Sequence, residues 1–188
     1  MRQTQSTDSG LANGRSCRVG CSSNDSSAKT SSLAKVAGPG HDNRLLEETF
    51  KRTGVSIMGK QMFSGGERFW PEDAPFHTPV FVLTHQARRP WERPGGTTFY
   101  FVNDGIKNAL GQARKAAGHR DIRIAGGANV VQQYLNAGLV DEFTIHYSPV
   151  FFGHGVSLFS GISKNVNVKI REAIVSKEVT HVTYEAVK

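Results

Sequence analysis

The amino-acid sequence predicts an α/β domain, a mixed sheet with helices on its faces. Hydrophobic residues make up 38% of the 188 residues and charged residues 21%, a composition that supports one globular core of ordinary size. Strand-like and helix-like segments alternate in the middle of the chain, which indicates parallel strands joined by crossovers. Two strand-like segments end the chain on either side of a short polar turn, which predicts an antiparallel hairpin.

The first 40 residues differ in composition from the rest of the chain. Residues 1–32 are rich in Ser, Thr and Gly and show neither strand nor helix periodicity. Such a segment buries too little apolar area to offset an ordering cost of about 1–2 kcal/mol per residue. We therefore expect a disordered segment over residues 1–40 and a folded domain over residues 41–188.

Helices are predicted from apolar spacing and from capping residues. Asp42 or Asn43 is the candidate N-cap of a first helix, over residues 44–51. Asp104 is the expected N-cap of a second helix, which Gly118 ends. A third helix spans residues 128–137 and ends before Gly138.

Strands are predicted where β-branched and aromatic residues cluster between turn signals. They cover residues 55–58, 80–84, 97–102, 122–125, 143–147, 166–175 and 179–187. The segment 88–96, with its Pro and Gly residues, is predicted to be a loop.

Charge, cysteine content and hydropathy exclude several classes of protein. The net charge of +7 is compatible with binding to nucleic acid or to a small anion, and equally with solubility alone. Arg88, Arg89 and Arg93 have no stacking platform or basic helix beside them, so we expect a solvated loop rather than a nucleic-acid site. Cys17 and Cys21 are too few for a disulfide framework or a four-thiolate zinc site.

The spacing of the histidines and the hydropathy of the chain bear on metal binding and on membrane insertion. The seven histidines show no metal-ligand spacing, and His146, which alternates with inward residues of its strand, is predicted to lie on the surface. No apolar run approaches the roughly 20 residues that span a bilayer, and no secretory signal is seen, so the expected location is the cytoplasm.

Three segments place glycine or polar residues directly after a predicted strand, where ligands bind in open α/β sheets. Gly126 and Gly127 join a strand to a helix, and helix amides suit a phosphate; the alternative is a tight turn without a ligand. Gly59 and the basic residue Lys60 follow another predicted strand and could contact a ligand in the same way; the alternative is an exposed lysine in a loop. Thr84 and His85 could hold a phosphate or ribose, or could be ordinary polar residues at a strand end.

In this order the segments resemble the dihydrofolate reductase fold. The resemblance rests on Met58-Gly59-Lys60, on residues 82–85, and on residues 124–130 followed by Tyr134. Residues 79–85, 137–142 and 149–155 resemble more closely the C-terminal reductase domain of the bifunctional riboflavin-biosynthesis deaminase-reductase and its stand-alone relatives. The resemblance covers about residues 44–188.

The resemblance implies a mixed, mostly parallel sheet with helices on both faces and a C-terminal antiparallel hairpin. It also implies a homodimeric NADPH-dependent oxidoreductase that acts on a small pteridine- or aminopyrimidine-like heterocycle. Such an enzyme is similar to dihydrofolate reductase or to 5-amino-6-(5-phosphoribosylamino)uracil reductase. The residues that it implies for the cofactor are Gly59, Lys60, Leu83, Thr84, His85, Gly126, Gly127, Ala128, Asn129 and Val130. For the substrate it implies Phe152 and His154. No catalytic side chain is implied, because the nicotinamide itself carries the hydride chemistry.

Two departures from the family pattern leave alternatives open. His85 stands where the family has arginine, and an imidazole lacks a bidentate fork, so NADH is an alternative cofactor. The segment before residues 36–40 lacks the family's first strand and Asp-Gly turn, so this strand is either missing or replaced by residues 17–21. A catalytically defective relative that binds the cofactor or a partner is therefore the alternative function.

Overall fold

A computed structural model describes residues 17–20, 40–176 and 178–187 of the chain. Within them the strands are β1 (Cys17–Gly20), β2 (Thr53–Gly59), β3 (Pro79–Leu83), β4 (Trp91–Glu92), β5 (Thr98–Val102), β6 (Asp121–Gly126), β7 (Glu142–Tyr147), β8 (Asn167–Val175) and β9 (Thr180–Val187). The helices are α1 (His41–Arg52), α2 (Lys60–Glu67), α3 (Ile106–Ala117) and α4 (Ala128–Asn136), with a short 3₁₀ turn at Pro94–Gly96. No helix in these described ranges is long and apolar enough to cross a bilayer.

The strands of the described chain form one sheet in the order β4-β5-β3-β2-β6-β1-β7-β9-β8. Every pairing from β5 to β7 along this order is parallel. The last three strands, β7, β9 and β8, pair antiparallel, as does the short β4 at the other edge. The predicted mixed, mostly parallel sheet is confirmed, and the predicted hairpin is the outer part of a three-stranded antiparallel unit.

One inner strand of this sheet is β1, which lies in the segment predicted to be disordered. It runs parallel between β6 and β7, with Val19 opposite both Ile124 and Phe143. Of the two sequence alternatives the structure therefore has the replacement strand, and disorder is wrong for Cys17–Gly20. Backbone pairing to a neighbour on each side stabilises these four residues, and a local hydrophobic pattern does not report such pairing. Residues 1–16 and 21–39, where disorder was also predicted, lie outside the described residues.

Helices cover both faces of the parallel part of the sheet. On one face α3 and α4 pack on Val55, Ile57, Ile122 and Ile124. On the other face Phe63 of α2 packs with residues such as Met58 and Val82. All seven residues of β2 are buried, as expected for a parallel strand covered on both sides.

Helix α2 was not predicted, and its stability comes from one buried aromatic side chain. The sequence Lys60–Glu67 contains two glycines and has no clear helical stripe. Phe63 is fully buried, and its ring lies 5.2–6.2 Å from the rings of Trp70, Trp91, Phe99 and Phe101. Tertiary packing therefore overrides the weak local helix propensity of the segment.

The predicted helix caps are wrong for two helices. The N-cap of α1 is Gly40, so Asp42 and Asn43 both lie inside the helix. The N-cap of α3 is Gly105, at φ +94°, and Asp104 instead accepts a hydrogen bond from Nδ2 of Asn108 at 2.7 Å. A glycine with positive φ sets the direction of the chain at α3 without a side-chain cap.

Candidate functional site

Two helices begin side by side at the carboxyl edge of the sheet. Strands β2 and β6 are parallel neighbours, with Met58 opposite Gly126, and each leads directly into a helix. The N-cap residues of α2 and α4 are Gly59 and Gly127, and neither helix has a side-chain cap or an acidic residue in its first turn. Two sets of first-turn amides and two positive dipole ends therefore lie together, an arrangement suited to an anion.

The two helix starts are in close contact. A Cβ built on Gly59 would lie 2.9 Å from Cγ2 of Val130 and 3.8 Å from the amide nitrogen of Gly127. The side chain of Val130 is buried, and Asn129 is exposed, with its Oδ1 accepting a hydrogen bond from Gln133 at 2.6 Å. Any larger residue at position 59 would push α4 away from β2.

The two glycines of the β6–α4 turn have different requirements. Gly126 has φ +114°, where a side chain is strained, and a Cβ there would lie 3.4 Å from Sδ of Met62. Gly127 has φ −75°, which any residue adopts, and a Cβ there would meet no described atom within 4 Å. The peptide bond between them is cis. The space in front of Gly127 is therefore open to a ligand at the start of α4.

Lys60 lies in the first turn of α2, so the alternative of an exposed loop lysine is wrong. Its side chain is half-buried, and Nζ lies 5.3 Å from the centre of the Phe63 ring. The residue therefore combines a positive charge with the amides of the same helix start.

The third predicted segment lies at the same edge, one strand further from β6. Leu83 ends β3, and the amide of Thr84 donates to the carbonyl of Val102 at 3.0 Å. Oγ1 of Thr84 accepts a hydrogen bond from the amide of Gln86 at 3.1 Å, and His85 is exposed. The structure thus brings Leu83, Thr84 and His85 to the edge where Gly59 and Gly127 lie.

The two residues implied for the substrate belong to another segment, the connection that follows β7. Phe152 and His154 are exposed in the long connection after β7, and Phe152 is 63% accessible. Within the described parts of the chain neither of them makes a hydrogen bond or ring contact with the glycine turns.

Two of the three arginines near Trp91 fasten the loop that carries them. Arg88 forms an ion pair with Glu67 at 2.7 Å, and its guanidinium lies 4.7 Å from the centre of the Phe101 ring. Arg93 donates to the carbonyls of Pro71 and Glu72 and lies over Trp91. Arg88 is exposed, as the prediction of a solvated loop requires, whereas Arg93 is half-buried. Cation–π contacts hold both guanidinium groups on the aromatic cluster, which the sequence did not predict.

A polar cluster that the sequence did not predict lies on the α1 side of the sheet. His146 of β7 and His181 of β9 are directly opposite each other, and their Nδ1 atoms are 2.5 Å apart. Nε2 of His181 lies 2.9 Å from Oδ1 of Asp42, whose Oδ2 accepts a hydrogen bond from Oγ of Ser176 at 3.0 Å. We name Asp42, His181 and His146 the histidine relay.

The surroundings of His146 favour its neutral form. Burial is the main cause that lowers the pKa of His146, and His181 and Arg123 lower it further, whereas Asp42 raises it in part. The prediction of a surface residue is therefore wrong: His146 is half-buried and hydrogen-bonded. The alternation of residues correctly put His146 on the opposite face of β7 from the inward residues. Its partner His181 on β9 depends on the strand register, which no local pattern reports.

A sequence model of one family matches most of the chain. The family described as the RibD C-terminal domain matches residues 20–182. Among curated proteins, YyaP of Bacillus subtilis (strain 168), named as uncharacterized, is 37% identical over 70 residues. That alignment covers 37% of this chain and 37% of YyaP.

Solved structures show the same fold at low sequence identity. A protein from Shewanella sp. PV-4 that is named for riboflavin biosynthesis has a TM-score of 0.70 and 21% identity, over 92% of this chain and 99% of that one. Dihydrofolate reductase from Enterococcus faecalis, complexed with NADP(H), has a TM-score of 0.57 and 18% identity, over 92% and 97%. A diaminohydroxyphosphoribosylaminopyrimidine deaminase/5-amino-6-(5-phosphoribosylamino)uracil reductase from Thermotoga maritima has a TM-score of 0.58 and 15% identity, over 92% and 57%.

Proposed function

Because the chain belongs to the RibD C-terminal domain family, we propose that it is an NADPH-dependent reductase of a small pteridine- or aminopyrimidine-like heterocycle. The observation that carries this proposal is the pair of uncapped helix starts at Gly59 and Gly127. The family is reductase-like. The structures similar to this chain include a dihydrofolate reductase complexed with NADP(H) and a bifunctional deaminase/uracil reductase. These neighbours support the class of reaction, and the residues below are our assignment for this chain.

The residues at the sheet edge fit a dinucleotide. The pyrophosphate would lie against the first turns of α2 and α4, where Gly127 leaves open space and Lys60 adds positive charge. Ala128, Asn129 and Val130 complete the α4 side of this cradle, and Gly126 gives the turn its shape. Leu83, Thr84 and His85 would face the adenosine ribose.

The chain's own residues position and shield the reacting groups. When bound, NADPH supplies a hydride, so the protein needs no nucleophile of its own. The helix starts would fix the position of the pyrophosphate and thereby orient the nicotinamide. The half-buried strand ends around Leu83 and Thr84 would limit the access of water to the cofactor.

His85 bears on the preference of the proposed enzyme for NADPH over NADH. An exposed imidazole contacts a 2′-phosphate without the two parallel hydrogen bonds that arginine forms. We expect NADPH to bind more tightly than NADH, but by a smaller ratio than a His85→Arg variant shows.

The alternative of a catalytically defective relative rested on a missing first strand and a missing Asp-Gly turn. Since β1 lies paired between β6 and β7, the first reason no longer applies, and the absence of an Asp-Gly sequence before residues 36–40 is the reason that remains. The two functions separate in one titration with NADPH and NADH, followed by nicotinamide fluorescence and then by turnover of a dihydropteridine and an aminouracil. Binding with turnover supports the reductase, binding without turnover supports the defective relative, and no binding contradicts both.

We also propose that the protein is a homodimer, assembled through the outer face of the antiparallel unit. A groove of about 250 Å³ on this face is lined almost entirely by apolar side chains: Leu135, Phe143, Ile145, Tyr147, Phe159, Ile162, Val166, Val168 and Tyr184. Ile170 on the same face of β8 is 64% exposed. A contiguous apolar surface of this kind is typical of a protein interface, and a second copy would cover both the groove and the edge strand.

A further inference from the structure

The geometry of the histidine relay restricts which nitrogen atoms carry protons. Oδ1 of Asp42 is an acceptor, so Nε2 of His181 carries the proton between them. The two facing Nδ1 atoms, 2.5 Å apart, are bridged by one proton. No described residue forms a hydrogen bond with Nε2 of His146. Among the described residues that atom is therefore the end of the relay without a hydrogen-bond partner, and we call it the free end.

The state of this free end depends on where the bridging proton lies. If His146 Nδ1 holds it, the neutral ring leaves Nε2 as an acceptor. If His181 Nδ1 holds it, His181 is an imidazolium beside the Asp42 carboxylate, and Nε2 of His146 carries a proton that it can donate. Movement of one proton between the rings therefore exchanges the donor and acceptor states of Nε2.

The backbone of His146, which carries the free end, lies at the same level of the sheet as the glycine turn. Val19 of β1 is opposite Ile124 of β6 and opposite Phe143 of β7. Gly127 and His146 each follow three residues after these partners, so both lie at the carboxyl edge. Two strand spacings separate them, about 10 Å. A heterocycle beside a nicotinamide at this edge would lie within reach of His146.

The charges around the ring suit a group that gives up a proton readily. His181 faces it from β9, Asp42 from α1, and Arg123 from β6, and Arg123 is also stacked on Phe50 of α1. Burial, His181 and Arg123 disfavour the imidazolium on His146 itself, and the Asp42 carboxylate offsets this effect in part.

We propose that Nε2 of His146 donates the proton that accompanies hydride transfer, with His181 and Asp42 as positioning residues. This assignment rests on the proposed reductase function. As the carbon of the substrate's C=N or C=O bond accepts hydride, the π electron pair moves to the nitrogen or oxygen. That atom forms a bond with the proton of Nε2, and the N–H electron pair stays on His146. The bridging proton moves from His181 to Nδ1 of His146, and solvent water restores the proton that was donated.

The test uses the full chain and three variants, His146→Gln, Asp42→Asn and the control His119→Gln. His119 is exposed at the opposite edge of the sheet, between α3 and β6. NADPH affinity is measured by fluorescence, and kcat is measured from pH 5 to 9 with a dihydropteridine and an aminouracil. We expect His146→Gln to lower kcat about 100-fold, the scale of general acid catalysis, with NADPH affinity unchanged. The control should change neither quantity.

The pH profile separates proton donation from a structural role. Asp42 raises the pKa of His146, so Asp42→Asn should move the limb of the kcat profile that belongs to His146 to lower pH. A purely structural loss would lower kcat equally at every pH.

Each contrary outcome contradicts a different statement. Active wild-type protein with unchanged kcat in His146→Gln overturns the relay and leaves the reductase in place. A parallel loss of NADPH affinity in His146→Gln also overturns the relay, since the ring would then shape the cofactor site. Wild-type protein that does not bind NADPH, or binds it without turnover of either heterocycle, overturns the reductase and the relay with it.

Discussion

The inner strand β2 and the edge strand β8 show two ways in which one sheet meets its surroundings. All seven residues of β2 are buried under helices on both faces, whereas β8 is exposed along its whole length except at Ile174. A covered strand can meet a ligand only at its end, where the backbone emerges. An antiparallel unit that is only partly covered also offers side chains along its strands.

The candidate chemistry divides along the same line. In the parallel half it consists of backbone amides at Gly59 and Gly127, with no side-chain cap in either helix. In the antiparallel unit it consists of the cross-strand pair His146 and His181. A buried parallel strand therefore contributes to a site through the backbone amides of the turn that follows it. A half-covered strand contributes side chains, and the strand register decides which of them pair.

The largest expected effect tests whether the two regions differ in packing. Phe63→Ala should lower the free energy of unfolding by about 3–5 kcal/mol, because a fully buried ring leaves a cavity among four aromatic rings. The same substitution at Phe151, which is fully exposed, should change it by less than about 0.5 kcal/mol. Chemical denaturation measures both, and similar losses would contradict the packing described for Phe63 in the covered, parallel half.

The second prediction separates the two glycines of the β6–α4 turn. Gly127→Ala should weaken NADPH binding by about 1–3 kcal/mol with an unchanged melting temperature, because its Cβ would occupy only open space at the helix start. Gly126→Ala should instead lower stability by about 1–3 kcal/mol, because its φ of +114° strains any side chain.

Fluorescence titration and thermal unfolding of each purified glycine variant supply both readouts. Lys60→Ala is a milder comparison, since salt should screen its contact with a phosphate. A folded Gly127→Ala protein with unchanged NADPH affinity would remove this turn from the cofactor site.

The third prediction concerns the uncovered face. Ile170→Lys should raise the dissociation constant of the homodimer at least about tenfold, or about 1.4 kcal/mol, because it places a charge in the apolar surface of β8. Sedimentation at micromolar concentration measures the change, with exposed Lys107→Glu on α3 as the control. A monomeric wild-type protein would refute the dimer directly.

The smallest expected effect is a pH dependence of stability from His146. Its pKa in the folded protein lies below the ordinary 6.5, so between these two values the unfolded chain binds the extra proton. Stability is therefore full above about pH 6.5 and falls as the pH drops through this window. His146→Gln should flatten the dependence by less than about 1 kcal/mol, because water screens a half-buried ring.

Urea denaturation from pH 5 to 8 of the wild type and of His146→Gln checks this sign. A wild-type protein that gains stability on acidification relative to the variant would show that the ring is protonated in the fold.

The sequence by itself determined the features that depend on neighbouring residues. Alternation and β-branching located the strands that become β3, β5, β7 and β9 to within a residue or two. Gly118 and Gly138 end their helices with positive φ, which a glycine signals locally. The segments 58–60, 82–85 and 124–130, together with residues 79–85, 137–142 and 149–155, were enough to indicate by resemblance the family that the sequence model matches.

Tertiary structure decided the features that depend on partners far away in the chain. Four residues of weak pattern became the inner strand β1 because β6 and β7 pair with it on both sides. A glycine-containing segment became α2 because Phe63 packs among four aromatic rings from three other segments: Trp70, Trp91 of β4, and Phe99 and Phe101 of β5. Asp42 forms a hydrogen bond with His181, which lies 139 positions later in the sequence. Local patterns report periodicity and turns, whereas pairing, burial and register are properties of the assembled sheet.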